Sequence, residues 1–74
     1  MKRISVESSM ISSIGYEAST KTLEIEFNTG AIWQYADFPK DLWDKFKNCK
    51  SYGRFFLEHI QDFYADTKIA RKRN

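Results

Sequence analysis

The sequence predicts an α+β fold: a three-stranded antiparallel meander followed by two helices packed on one sheet face, in the order β-β-β-α-α. Three observations lead there. Leu23, Ile25 and Phe27 alternate with Thr22, Glu24 and Glu26, the period of a strand with one buried and one wet face. Asn28-Thr29-Gly30 follows as a three-residue hairpin loop, with Gly at the left-handed position. Beyond Phe38-Pro39 the apolar spacing changes to that of a helix.

The elements can be justified in chain order. Residues 1–8 read as a lead-in. Met10–Glu17 carries Ile14 and Tyr16 in alternation, but Ile11 has the opposite parity, so a first strand with a bulge near Ser12-Ser13 is expected. The hairpin register then follows. If Phe27 pairs with Ala31, Ile25 faces Trp33 and Leu23 faces Tyr35, and paired residues share a face. Leu23, Ile25, Phe27, Trp33 and Tyr35 are therefore expected on the buried side, with Glu24, Glu26, Ile32 and Gln34 on the wet side. Pro39 suits the first helical position. Leu42, Trp43, Phe46 and Cys49 form one stripe, and Lys50-Ser51-Tyr52-Gly53 breaks the helix. A second helix is expected from about Arg54 to Tyr64, with Phe56, Ile60 and Phe63 on its inner stripe.

Length and composition bound the function. The 74 residues form one domain, with an ordered core over about residues 6–64 and a basic tail over about 66–74. Two Trp, four Tyr and six Phe supply a core that so short a chain otherwise lacks. Cys49 is the only cysteine, so there is no disulfide framework, and a reducing, cytoplasmic setting is expected. Cys49 and His59 alone do not make a metal site. No apolar run approaches a membrane span. The formal charge of +2 comes from the ends: without Lys2, Arg3, Lys68, Arg71, Lys72 and Arg73, six basic residues face ten acidic ones, a net of −4. A generic basic nucleic-acid surface is therefore not expected on the body.

An ordered set of features resembles the KTSC domain, a short module found alone in bacterial and phage proteins and appended to the C-terminus of some lysyl-tRNA synthetases. The set is Val6 with Ser8-Ser9, then Gly15-Tyr16, Leu23-x-Ile25-x-Phe27, Gly30, Trp33-Gln34-Tyr35, Phe38-Pro39, Ser51-x-Gly53 and Phe55-Phe56. Two positions depart from the family pattern. Trp33 stands where the family usually has Tyr, which removes a hydroxyl, and Phe38 stands where it often has Val. The resemblance implies the same fold, and the synthetase attachment implies RNA as a ligand.

Each candidate site has a structural reading beside a functional one. Lys50, Ser51, Gly53 and Arg54 gather an N-cap, a glycine and two cations at a helix start, where an anion or phosphate is favoured. A capped inter-helix turn needs the same residues. Lys68, Arg71, Lys72 and Arg73 are either a frayed terminus or an arm for nucleic-acid phosphates. Ser8 and Ser9 suit local bonds to nearby backbone. Trp33 and Tyr35 suit base stacking only if exposed, and the register buries them. Cys49 and His59 could pair across the helices but lack an orienting acid or oxyanion donor. Asp41 and Asp44 sit among lysines on a solvated face.

The expectation is a non-enzymatic binding module without cofactor, metal or membrane. Its partner is RNA, a nucleotide or another phosphate-bearing ligand. The alternative is a protein-interaction or small-ligand-sequestering domain that self-associates. Salt dependence separates the two, because phosphate-driven binding weakens steeply with salt.

Overall fold

β3 (Thr22–Phe27) and β4 (Ala31–Tyr35) pair in the expected register, Leu23 opposite Tyr35 and Ile25 opposite Trp33. In the computed structural model, which describes residues 2–71, this hairpin is the middle of a larger sheet. β1 (Arg3–Ser5), β2 (Ile11–Glu17) and β5 (Asp66–Arg71) complete five antiparallel strands in the order β1-β2-β3-β4-β5. α1 (Lys40–Lys47) and α2 (Tyr52–His59) lie between β4 and β5 in sequence.

The fold is α+β as expected, but the three-stranded meander is corrected to five strands. The lead-in forms β1 on β2, and the first part of the basic tail forms β5 on β4. Both additions are edge strands. Edge strands carry charge and interrupt their own pattern, which discourages pairing with other chains. Arg3-Ile4-Ser5 is too short to alternate, and Asp66–Arg71 has a bulge that sets Ile69 outside the register. Neither segment advertises a buried face. Lys72 and Arg73 lie outside the described residues.

The inner face packs under the two helices. Ile11, Ile14, Leu23, Ile25 and Tyr35 from the sheet meet Phe38, Phe46, Phe56 and Ile60 in one buried cluster. The register shift between Ile11 and Ser13 lets Ile11 and Ile14 both point inward despite their opposite parity. Phe46 and Phe56 anchor one helix each. Phe46 stacks on Phe55 at 5.2 Å, and Phe56 meets Phe27 and Tyr35 edge-on at 5.2 and 5.8 Å. Such aromatic pairs stabilise by about 0.5–1.5 kcal/mol beyond area burial.

Several details differ from expectation. Pro39 occupies the N-cap of α1, one position earlier than anticipated, with extended backbone and no side-chain cap. α2 stops at His59, and Asp62 has a left-handed φ of 67°. That turn breaks the helical period, so Phe63 points outward at 67% exposure. Tyr64 takes the inner place, 4.9 Å edge-on to Phe38. Trp33 is half-buried, whereas Tyr35 is only 2% exposed.

Among the described residues no layer covers the outer sheet face, yet Glu24 is 6% exposed. The Arg3 guanidinium reaches across β2 to the Glu24 carboxylate and lies 3.7 Å from Glu26. Gln34 Nε2 donates to Glu24 at 3.0 Å, and Ser13 Oγ donates to Glu26 at 3.0 Å. Gly15 makes the crossing possible. A Cβ there would lie 2.9 Å from Arg3 Cγ and 2.9 Å from the Lys2 carbonyl oxygen. The expected wet face is thus a hydrogen-bonded ion network shielded by one arginine.

Gly15→Ala is expected to destabilise the domain by about 1–3 kcal/mol, read from urea unfolding, because backbone blocks the added methyl. A truncation ending at Ala65 removes β5 and opens the β4 edge. It is expected to melt far below the full chain, or not to fold.

Candidate functional site

The turn between the helices is built by two caps. The Asn48 N–H bonds back to the Lys45 carbonyl at 3.3 Å and the Cys49 N–H to the Phe46 carbonyl at 3.2 Å, and the Asn48 side chain donates to the Asp44 carbonyl at 2.8 Å. Ser51 then adopts extended backbone and caps α2, its Oγ accepting the Arg54 N–H at 3.3 Å. A helix start leaves its first N–H groups without intrahelical partners. With that of Arg54 taken, those of Tyr52 and Gly53 make no hydrogen bond among the described residues.

Gly53 is buried against the loop that enters β2, with room for ordinary van der Waals contact only. A Cβ there would lie 3.4 Å from Met10 Cβ and 3.7 Å from Ser8 Oγ. The start of α2 therefore rests on the loop that enters β2. Ser8 organises that loop, its Oγ accepting the N–H groups of Met10 and Ile11 at 3.1 and 3.2 Å. This is the local backbone bonding expected of it. Asn28, in the β3–β4 turn, donates its side-chain amide to the Ser8 carbonyl and its backbone N–H to the Met10 carbonyl, both at 2.9 Å. Three distant segments thus meet: Ser8–Met10, Asn28 and Ser51–Arg54. Ser9, Lys50, Ser51 and Arg54 are exposed around this junction.

Its charge is partly engaged. Arg54 Nε lies 3.1 Å from Glu58 one turn along, both side chains being largely exposed, so the pair is weak. Among the described residues no ion pair involves Lys50. Two of the tail cations, Lys68 and Arg71, fall on β5. Lys68 is exposed on β5 opposite Trp33, and Arg71 stands opposite Ala31. They belong to an ordered edge strand.

The Cys49–His59 pair is not assembled. His59 is exposed with its ring against Phe55 at 4.7 Å, and no hydrogen bond joins it to Cys49 among the described residues. Burial pushes the Cys49 thiol up, a shift that the Ser51 N–H partly opposes. Asp44 sits between Lys40 and Lys47 at 3.4 and 3.3 Å, a solvated cluster as expected. Among the described residues no group of three His, Cys, Asp or Glu side chains could hold a metal, and no helix is long and apolar enough to cross a membrane.

A second feature was invisible in the sequence. A cleft of about 320 Å³ opens between the β4 end of the sheet and α2, walled by Phe27, Trp33, Tyr35 and Phe56. Gln61, Asp62 and Asp66 form its polar rim. Burial, reinforced by the Asp66 charge, raises the Tyr35 hydroxyl well above the ordinary tyrosine range. Gln61 and Asp62 come from the turn after α2 and Asp66 from the start of β5, and no spacing pattern announces where that turn will fold back.

Comparison with known proteins agrees with this architecture. The KTSC domain family model matches residues 7–64. The crystal structure of a KTSC domain protein from Yersinia pestis superposes with a TM-score of 0.91 at 36% identity, covering 93% of this chain and 97% of that one. An uncharacterized protein of Stutzerimonas stutzeri is 36% identical over 56 residues, 76% of this chain and 79% of that protein. A lysine–tRNA ligase of Nostoc sp. strain PCC 7120 is 34% identical over 55 residues, which are 74% of this chain and 10% of the ligase. The chain belongs to the KTSC domain family.

Proposed function

We propose that this KTSC domain is a non-enzymatic binding module for RNA or another phosphate-bearing ligand, with its site at the start of α2. The observation that carries this reading is the junction at Gly53. There the Ser8–Met10 loop meets the end of α2 that bears Ser51 and its remaining N–H groups. The exposed Ser9 and Ser51, together with Lys50 and Arg54, offer hydroxyls and positive charge on a body that is otherwise acidic. A helix N-terminus favours negative charge through its dipole and unpaired donors. The similarity to one tenth of a lysine–tRNA ligase supports RNA as the source of the phosphate. Lys68 and Arg71 on β5, with Lys72 and Arg73 beyond, add a sequence-independent attraction. The lone thiol suits a reducing, cytoplasmic setting.

The non-enzymatic part of the reading is supported by Cys49. A nucleophilic cysteine needs its thiolate, and burial here favours the neutral thiol. Alkylation of Cys49 in the folded protein is expected to be slower than in the urea-unfolded chain at the same pH. A faster reaction in the folded state would reopen the catalytic reading.

The ligand site is tested by NMR titration with inorganic phosphate, nucleotides and short RNAs. Amides of residues 8–10 and 50–55 are expected to shift. Lys50→Gln with Arg54→Gln is expected to change stability by less than about 0.5 kcal/mol, since both side chains are exposed. It should weaken RNA binding, with a loss that shrinks as salt rises. If RNA binds while those amides stay still, the junction is purely structural.

A further inference from the structure

Four aromatic side chains and two carboxylates meet at the cleft beside α2, which shares no residue with the Gly53 junction. Phe56 stands edge-on to both Phe27 and Tyr35, at interplanar angles of 72° and 71°, so the rings form a corner and not a flat stack. Trp33 closes one side and is half-buried. Ring faces carry negative electrostatic potential, so wherever a face borders the cleft a cation is favoured over a neutral or anionic group.

The rim strengthens that preference. Asp62 and Asp66 are exposed, and among the described residues neither takes part in an ion pair. The backbone at Asp62 is left-handed, which fixes the turn that carries the rim. Gln61 adds an uncharged polar contact. Aromatic walls below acidic groups suit a planar guanidinium, which stacks on rings while its N–H fork pairs with carboxylate.

We propose that the cleft receives the guanidinium of an arginine side chain from a partner polypeptide. Size and charge select that source. The volume of about 320 Å³ is at the lower end for ligand sites, enough for one long side chain. Of the residues lining the cleft the only charged ones are carboxylates, so the free carboxylate of arginine as an amino acid would be repelled. An arginine within a chain carries no such group. Lys68 is the cross-strand partner of Trp33 but does not line the cleft.

The test is an NMR titration of the full chain with N-acetyl-arginine amide, its neutral citrulline counterpart, its lysine counterpart and free arginine. Saturable shifts are expected at the Trp33 indole N–H and at residues 61–66, strongest for the capped arginine and absent for citrulline. Asp62→Asn with Asp66→Asn keeps a residue tolerant of left-handed backbone at position 62 and should weaken binding about tenfold or more. Lys68→Ala should bind at least as tightly as the parent. Equal shifts with citrulline, shifts confined to other residues, or no shift with capped arginine would each overturn the proposal. So would undiminished binding by the folded double variant. Tighter binding of free arginine would overturn the polypeptide source. Should the double variant fail to fold, the arginine–citrulline comparison on the parent chain still decides.

Discussion

Two helices of eight residues each cannot stand alone in water, and everything functional in this domain depends on how they are held. Phe46 and Phe56 do the holding, one from each helix, both sunk into the inner face of the sheet. The Phe46–Phe55 stack ties the helices to each other, and the Phe56 contacts with Phe27 and Tyr35 fix α2 over the third and fourth strands. Once Phe56 is seated, the N-terminal end of α2 falls on Met10 and Ser8. The same anchor also makes one wall of the aromatic cleft. A ring placed for stability therefore positions both candidate sites, at opposite ends of a single short helix.

The other side of the sheet solves a different problem. A single uncovered layer exposes its outer residues to water, and alternation filled that face with glutamates. Glu24 and Glu26 are neighbours on one strand face, where like charges repel. Arg3 neutralises them from two strands away, and Gly15 gives its stem room to pass. The network lets the sheet keep its edge strand β1 in place with little apolar contact. Ile4, the one large apolar residue of β1, remains about half exposed.

What could be read from sequence followed local periodicity. The β3–β4 register, the bulge that reconciles Ile11 with Ile14, and the Phe46 stripe all lie within a few residues of their own signal. Ser8 was legible as a local backbone cap for the same reason. The edge strands were not, because Arg3-Ile4-Ser5 and Asp66–Arg71 earn their places through ladders formed with distant residues. Phe63 misled because helical spacing continued on paper past the point where Asp62 turns the chain. The residues of the Lys50–Arg54 turn were legible, but not that Gly53 would meet Ser8 and Met10 from the other end of the sequence. The cleft lay furthest from reach, since Trp33 and Asp66 come together only after both helices have packed.

The strictly sequential strand order bears on how the chain assembles. Each of β2, β3 and β4 pairs with the strand just made, so β1 to β4 can zip in the order of synthesis without waiting for later sequence. The final pairing is different: β5 must find β4 after both helices have been laid between them. Until that docking, one flank of β4 is an open row of backbone donors and acceptors. A ribosome emitting this domain would thus expose, for a short and defined interval, a sheet edge complementary to β5 of any neighbouring copy. The risk of strand exchange is concentrated in that last step.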